Sequence, residues 1–274
     1  MAAVINTNVS SLQAQQSLNV NQRSMQDAMR QLSTGSRVSS AKDDAAGLAI
    51  GMSMTSQIRG LNQAVRNLSD GMNMLQTAES SLSQTNDMLQ RMRELAVQSA
   101  NGTLSGTQRG YLSTEFVALG TQINKVATDT SWNGTALLAQ SASYTIQAGI
   151  NSGQTIAVVI GTGLTLSGMG LDSSSVSIGT AAGASSVLAT IDTAIGTVAG
   201  QRASLGAAIN QMTYASDNLT NVSTNISASR SSIIDTDYAS ASSQLSKGQI
   251  IQQAATAMLA QANQQPLSVL ALLK

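Results

Sequence analysis

The chain contains no cysteine and no histidine. That removes the thiolate nucleophile, the commonest general base and most soft metal ligands together, so catalysis, cofactor binding and metal binding are not expected. Proline occurs once in 274 residues, and the large rings are confined to Tyr111, Phe116, Trp132, Tyr144, Tyr214 and Tyr238. A compact globular core of this length would be hard to fill to native density with so few rings. Narrow helical bundles need only Leu, Ile, Val, Met and Ala. Charge is scarce as well: 14 basic and 14 acidic residues cancel, and neither sign clusters. The electrostatic footprint of a nucleic-acid binder is therefore missing. The first residues lack a basic region followed by an apolar run, and no apolar stretch approaches the ~20 residues that span a bilayer, so neither a cleavable signal nor membrane insertion is expected.

What is present is helical periodicity. Leu61, Leu68, Leu75, Leu82, Leu89 and Ala96 are each seven apart, with Ile58, Val65 and Met72 as the complementary positions. This predicts one long helix stopped by Asn101-Gly102. Leu112, Phe116, Leu119, Ile123 and Val126 predict a shorter helix folding back antiparallel beside it, and Ile191, Val198, Leu205, Met212, Leu219 and Ile226 a second long one. Ser39 and Ser40 before Asp43 and Asp44 predict a hydroxyl-capped helix start near Ala41, and Gly35 a left-handed end to the helix before it.

The two ends carry sparser stripes: Val4, Leu18, Met25 and Leu32 at one end, and Ile234, Tyr238, Ala241, Leu245, Ile251, Ala255, Met258 and Ala262 at the other. The spacing suits a seam between helices. Either end alone would bury too little to offset the about 1 to 2 kcal/mol per residue lost on ordering, so both are expected to need partners. Pro266 is expected to end or kink the last helix.

Between these helices, Tyr144–Ala148 and Gln154–Ile160 alternate across a Gly-rich turn and predict a β-hairpin. Residues 161 to 182 read as loop with little to bury. Other motifs weigh toward plain structure. Ser39 and Lys42 have nucleophile-pair spacing without companion motifs. Asp235 and Asp237 point apart on a helix. Gly161-Thr162-Gly163 leads into no helical pattern.

The runs Ile5-Asn6-Thr7-Asn8, Ser40-Ala41-Lys42-Asp43-Asp44-Ala45-Ala46-Gly47-Leu48-Ala49-Ile50 and Leu89-Gln90-Arg91-Met92-Arg93-Glu94-Leu95-Ala96 resemble the bacterial flagellin family. So do Arg202-Ala203-Ser204-Leu205-Gly206-Ala207 and Met258-Leu259-Ala260-Gln261-Ala262-Asn263-Gln264. Ser53, Gln211 and Ala241 depart from the family by removing charge.

The resemblance implies a mainly α fold, an elongated antiparallel bundle with a small β-hairpin region, in a short form lacking large outer domains. Residues 1–40 and 231–274 would form a terminal coiled coil, residues 41–140 and 184–230 a helical outer domain, and residues 141–183 its hairpin and loop. It implies a structural, non-enzymatic homopolymer, the flagellar filament of motility, outside the cell. Val4, Ile5, Leu18, Met25, Leu32, Leu245, Ile251, Met258 and Leu259 are the expected self-assembly residues. An export chaperone, the filament cap, hook-junction proteins and the vertebrate Toll-like receptor for flagellin are the implied partners, the receptor through Arg91, Leu95 and Glu115. The competing readings are the hook–filament junction protein and a secreted adhesive or signalling ligand.

Overall fold

The computed structural model describes residues 7–161, 164–172 and 176–271, the stretch 265–271 by its backbone alone. In chain order the elements are α1 (Val9–Thr34), α2 (Ala45–Ala100), α3 (Gly106–Asp129), β1 (Ser131–Trp132), β2 (Thr135–Ala136), β3 (Ala142–Gln147), β4 (Thr155–Ile160), α4 (Ala181–Ile234) and α5 (Tyr238–Ala271). The fold is mainly α. Contacts divide it into two units, residues 1–58 with 224–274, and residues 59–223. The boundaries fall within α2 and within α4, beyond the breaks expected at 40 and 231. The first turns of α2 belong with the chain ends because a Cβ at Gly47 would meet Ile233, and one at Gly51 would meet Ile234.

In the central unit, Leu61, Leu68, Leu75, Leu82, Leu89 and Ala96 are all buried, as the stripe predicts. The complementary positions are different. Ala64, Gly71, Ala78, Thr85, Met92 and Ser99 are buried, whereas Ile58, Val65 and Met72 are half-buried. The inner seam takes small residues where neighbouring chain comes close: a Cβ at Gly71 would meet Ile146 of β3. Hydroxyls in that seam satisfy themselves locally or on carbonyls, Thr85 Oγ1 donating to the Ser81 carbonyl and Ser99 Oγ to that of Ile178.

Helix α3 begins with a reciprocal capping box between Ser105 and Gln108 and runs antiparallel to α2. Arg109 reaches the Ser99 carbonyl, Arg91 meets Glu115, and the Thr130 and Ser81 hydroxyls pair at 3.1 Å. The hairpin β3–β4 pairs Tyr144 with Val158 and Ile146 with Ile156. A second, two-residue hairpin joins β1 to β2 through Asn133 (φ 48°) and Gly134 (φ 79°), a primed turn that Asn-Gly favours. The loop after β4 is not the empty connector expected. Leu164, Leu171 and Ile178 are buried in the core of this unit, beside Ile191, Val198, Leu205 and Met212 of α4. Helix α4 is by length and composition apolar enough to cross a membrane, and 28% of its most apolar window is buried here.

In the terminal unit, α1 ends at Gly35 with φ 69°, as expected. Helix α2 starts later than expected and its cap chemistry is reversed. The Asp44 carboxylate accepts from the Gly47 N–H at 2.9 Å, and Asp43 accepts from the backbone N–H groups and hydroxyls of Ser39 and Ser40. The acids are the acceptors and the serines the donors. An ionised carboxylate is the stronger acceptor for N–H groups at the positive end of a helix.

Candidate assembly interface

Helices α1 and α5 pack along most of their length. On α1 the positions turned toward α5 are Ser11, Ala14, Leu18, Asn21, Met25, Ala28 and Leu32, at spacings of three and four. On α5 they are Ala241, Leu245, Gly248, Gln252, Ala255, Leu259 and Ala262. Leu18, Met25, Leu32, Leu245 and Leu259 of the expected set are therefore half-buried seam residues. Ile251 and Met258 are not in the seam. Met258 is 66% exposed and Ile251 40%. The eye is drawn to the larger side chains, but Gln252 and Leu259, one position further on, keep the 3.5-residue period unbroken from Ala241. Val4 and Ile5 lie outside the described residues.

The seam is poor in apolar mass, and apolar mass sits outside it. Val9, Leu12 and Val20 on one face of α1, and Ile250 and Met258 on α5, are each more than half exposed. Between the helices runs an open groove of about 690 Å³, lined among others by Gln13, Gln16, Val20, Lys247 and Ile251. Amides, hydroxyls, two apolar side chains and the single charge of Lys247 suit packing against another low-charge helix. Among the described residues no group of three or more acidic residues is placed to hold a metal.

Where α1 turns into α2 and α4 into α5, the connectors clasp each other. Arg37 N–H donates to the Ile234 carbonyl at 2.6 Å, its guanidinium to the Ile233 carbonyl at 2.6 Å, and Thr236 N–H to the Gly35 carbonyl at 3.0 Å. A cation on the last carbonyls of α4 opposes the negative end of that helix. Arg30 bridges Asp27 and Asp43 at 2.9 Å each, and the Ser40 hydroxyl, ahead of the backbone donors, holds the Asp43 carboxyl below its ordinary range. Sequence reasoning missed this clasp, since Arg37 carries no periodic signal.

On the central unit, Arg91 is half exposed and contacts Glu94 at 2.8 Å and Glu115 at 2.9 Å. Those two acids, Glu94 foremost, hold its guanidinium above its ordinary pKa. Leu95 is 1% exposed in the core between α2 and its neighbours, so it has no surface to offer a partner. Of the three expected receptor residues the structure brings Arg91 and Glu115 together at the surface and withdraws Leu95.

Comparison with known proteins agrees with this architecture. The profile of the bacterial flagellin N-terminal helical region matches residues 5–143, and that of the C-terminal helical region residues 188–273. A flagellin of Halalkalibacterium halodurans is 40% identical over 99% of this chain and 100% of its own length. The flagellar filament 33 kDa core protein of Treponema phagedenis is 39% identical over 99% of this chain and 100% of its own. Among solved structures, Bacillus cereus flagellin shares 29% identity with a TM-score of 0.50, covering 60% of this chain and 94% of its own.

Proposed function

This chain belongs to the bacterial flagellin family and is a structural subunit of the extracellular flagellar filament, and from that premise we propose that the α1–α5 pair is the surface through which copies join. The observation that carries the reading is the exposure of Val9, Leu12, Val20, Ile250 and Met258 on a pair whose own seam holds Leu18, Met25, Leu32, Leu245 and Leu259 only half-buried among Ser, Ala, Asn, Gly and Gln. Fully burying such a side chain from water is worth about 1.5–3 kcal/mol, and these, 51–67% exposed, would gain part of that. Only neighbouring copies, repeated along an open helical lattice, would supply that burial for every subunit. The family's role is mechanical, and the chain needs no catalytic group for it. Deleting residues 1–32 or 250–274 should abolish sedimentable filaments while the central unit retains cooperative helical melting. Long filaments from either truncated chain would refute the reading.

The curated relatives that match over their whole length are flagellins and filament core proteins, which supports the filament subunit over the hook–filament junction protein. The export chaperone, the cap and hook-junction proteins, passage through the flagellar secretion channel and recognition by the vertebrate Toll-like receptor complete the proposed set of interactions. For the receptor, the exposed Arg91–Glu115 pair is the contact and Leu95 its buried support. Arg91→Ala should weaken monomer binding roughly tenfold with little change in melting, on the scale of a binding hot spot. Unchanged affinity of a folded Arg91→Ala monomer would remove Arg91 from the contact.

A further inference from the structure

The α1–α5 seam has a weakness that its residues make plain. Along α5 the repeat places Ala241, Gly248, Ala255 and Ala262 at equivalent positions, one heptad apart. A slip by one heptad, about 10.5 Å at 1.5 Å per residue, would exchange one small residue for another at these positions and Gln252 for Leu245 or Leu259 at the others, all three of them only half-buried, so the apolar area at stake is small. Apolar contact alone therefore discriminates poorly between registers. In seams of this kind a single buried amide is the device that fixes register, at some cost in stability.

We propose that Asn8 and Asn21 set the register in which the two chain ends pair, and that Pro266 makes the Asn8 contact specific. Asn21 sits in the seam and its Nδ2 donates to the Gly248 carbonyl at 2.8 Å. Asn8 Nδ2 donates to the Ala262 carbonyl at 2.7 Å. Helix α5 does not end at Pro266 but continues to Ala271. A proline inside a helix brings no N–H for the carbonyl four residues earlier, and here that carbonyl is Ala262. Because proline occurs once in the chain, no other interior carbonyl of α5 is orphaned in this way. Asn8 meets that acceptor in one register only.

The same contact is tied to helix formation at the start of α1. Asn8 Oδ1 accepts from the Ser11 N–H at 3.1 Å as the N-cap, and the Ser11 hydroxyl donates to Asn263 Oδ1 at 2.9 Å. One asparagine thus caps α1 with its carbonyl oxygen and docks it on α5 with its amide nitrogen. Capping and docking reinforce each other.

The absence of cysteine makes the register directly readable. A Cβ built at Gly248 lies 3.5 Å from Met25 Cβ, at the close edge of the range a disulfide needs. Polymerised full-length Met25→Cys/Gly248→Cys protein should form an intrachain disulfide on mild oxidation. Met25→Cys/Ala255→Cys and Met25→Cys/Ala241→Cys, which meet only after a one-heptad slip, should not. Adding Asn8→Ala with Asn21→Leu should slow the 25/248 cross-link about threefold or more and bring up a slipped one, the size expected from losing hydrogen bonds of ordinary strength. Pro266→Ala restores the helical donor to Ala262, so Asn8→Ala should have a smaller effect in that background.

An unchanged 25/248 cross-link in the asparagine variants, or slipped cross-links in the parent, would overturn the proposal. An Asn8→Ala effect equal in both backgrounds would overturn the role of Pro266. The proposal rests on the assembly reading only in taking the filament as the ordered state. Sedimentation of the same proteins under reducing conditions tests that reading separately, and if nothing sediments, the same cross-links scored on the soluble chain still report the register.

Discussion

Along α2 the seam of the central unit holds Leu61, Leu68, Leu75, Leu82 and Leu89 at 0–4% exposure, whereas along α1 the matching positions hold Ser11, Ala14, Leu18, Asn21, Met25, Ala28 and Leu32, of which Ser11 and Ala28 alone are buried. The spacing is the same, and Ala64, Gly71, Ala78 and Thr85 stand between the leucines of α2 much as Ala14, Asn21 and Ala28 stand between Ser11, Leu18, Met25 and Leu32 of α1; what differs is the burial. The central unit draws its loop and hairpin onto the leucines, so Leu164, Ile160 and Ile178 complete a core from within one chain. The terminal unit leaves Leu18, Met25 and Leu32 of the α1 seam half-buried, and Val9, Leu12 and Met258 more than half exposed. One unit buries its seam leucines within a single chain, and the other leaves its seam half-buried, which is the burial the proposed assembly would complete. A heptad repeat therefore says that helices pair, while what else packs over the pair decides how far it is buried.

The largest effect that would break this contrast is a matched truncation. Leu82→Ala removes a side chain with 0% exposure and should cost the monomer about 2–5 kcal/mol, with a clear drop in melting temperature. Leu18→Ala, half-buried in the terminal seam, should leave monomer melting within about 0.5 kcal/mol of the parent while raising the concentration needed to polymerise. Equal destabilisation of the monomer by the two changes would mean that the terminal pair is as self-sufficient as the central unit.

How far the sequence reveals this contrast depends on residue size. Leucines seven apart on α2 and the Ile191-to-Ile226 stripe on α4 are visible because large side chains recur against a polar background. The other half of each seam is hidden because Ala64, Gly71, Ala78 and Thr85 look like surface filler, and burial of small residues leaves no compositional mark. The same effect misplaced the α5 seam onto Ile251 and Met258, and left Leu164, Leu171 and Ile178 unnoticed among Gly and Ser. Leu95, beside an exposed arginine in sequence, is turned into the core by its place in the helix. The Asn8–Ala262 and Arg37–Ile233 contacts span more than 190 residues in sequence and have no local signature.

A smaller effect is read in acid. In the central unit Arg93 and Asp192 pair at 2.6 Å between α2 and α4, and that hydrogen bond holds the Asp192 carboxyl below its ordinary range. A carboxyl with a lowered folded pKa contributes stability above its unfolded value, about 3.9, and loses it as the pH falls through the folded one. Melting of the monomer should therefore fall more steeply below about pH 4 in the parent than in Asp192→Asn, the difference vanishing once both forms are neutral. Parallel acid limbs for parent and variant would show that the ion pair contributes nothing on this surface.

The smallest expected effect tests whether the glycines of the central helices serve packing or are merely tolerated. Nothing lies within 4 Å of a Cβ built at Gly196 or Gly200 of α4. Alanine there meets open space and removes backbone freedom from the unfolded chain, so Gly196→Ala should stabilise the monomer by about 0.5–1 kcal/mol. At Gly71 on α2 a Cβ would meet the tip of Ile146 and approach Met212 sulfur at 3.4 Å. The same gain in helix propensity is there opposed by displacement of the β3 side chain that rests on the helix, and Gly71→Ala should give no net stabilisation. Urea melts of the two single variants against the parent measure the difference. If Gly71→Ala stabilises as much as Gly196→Ala, the glycine is not what lets β3 approach α2, and the small-residue half of the seam loses its steric explanation.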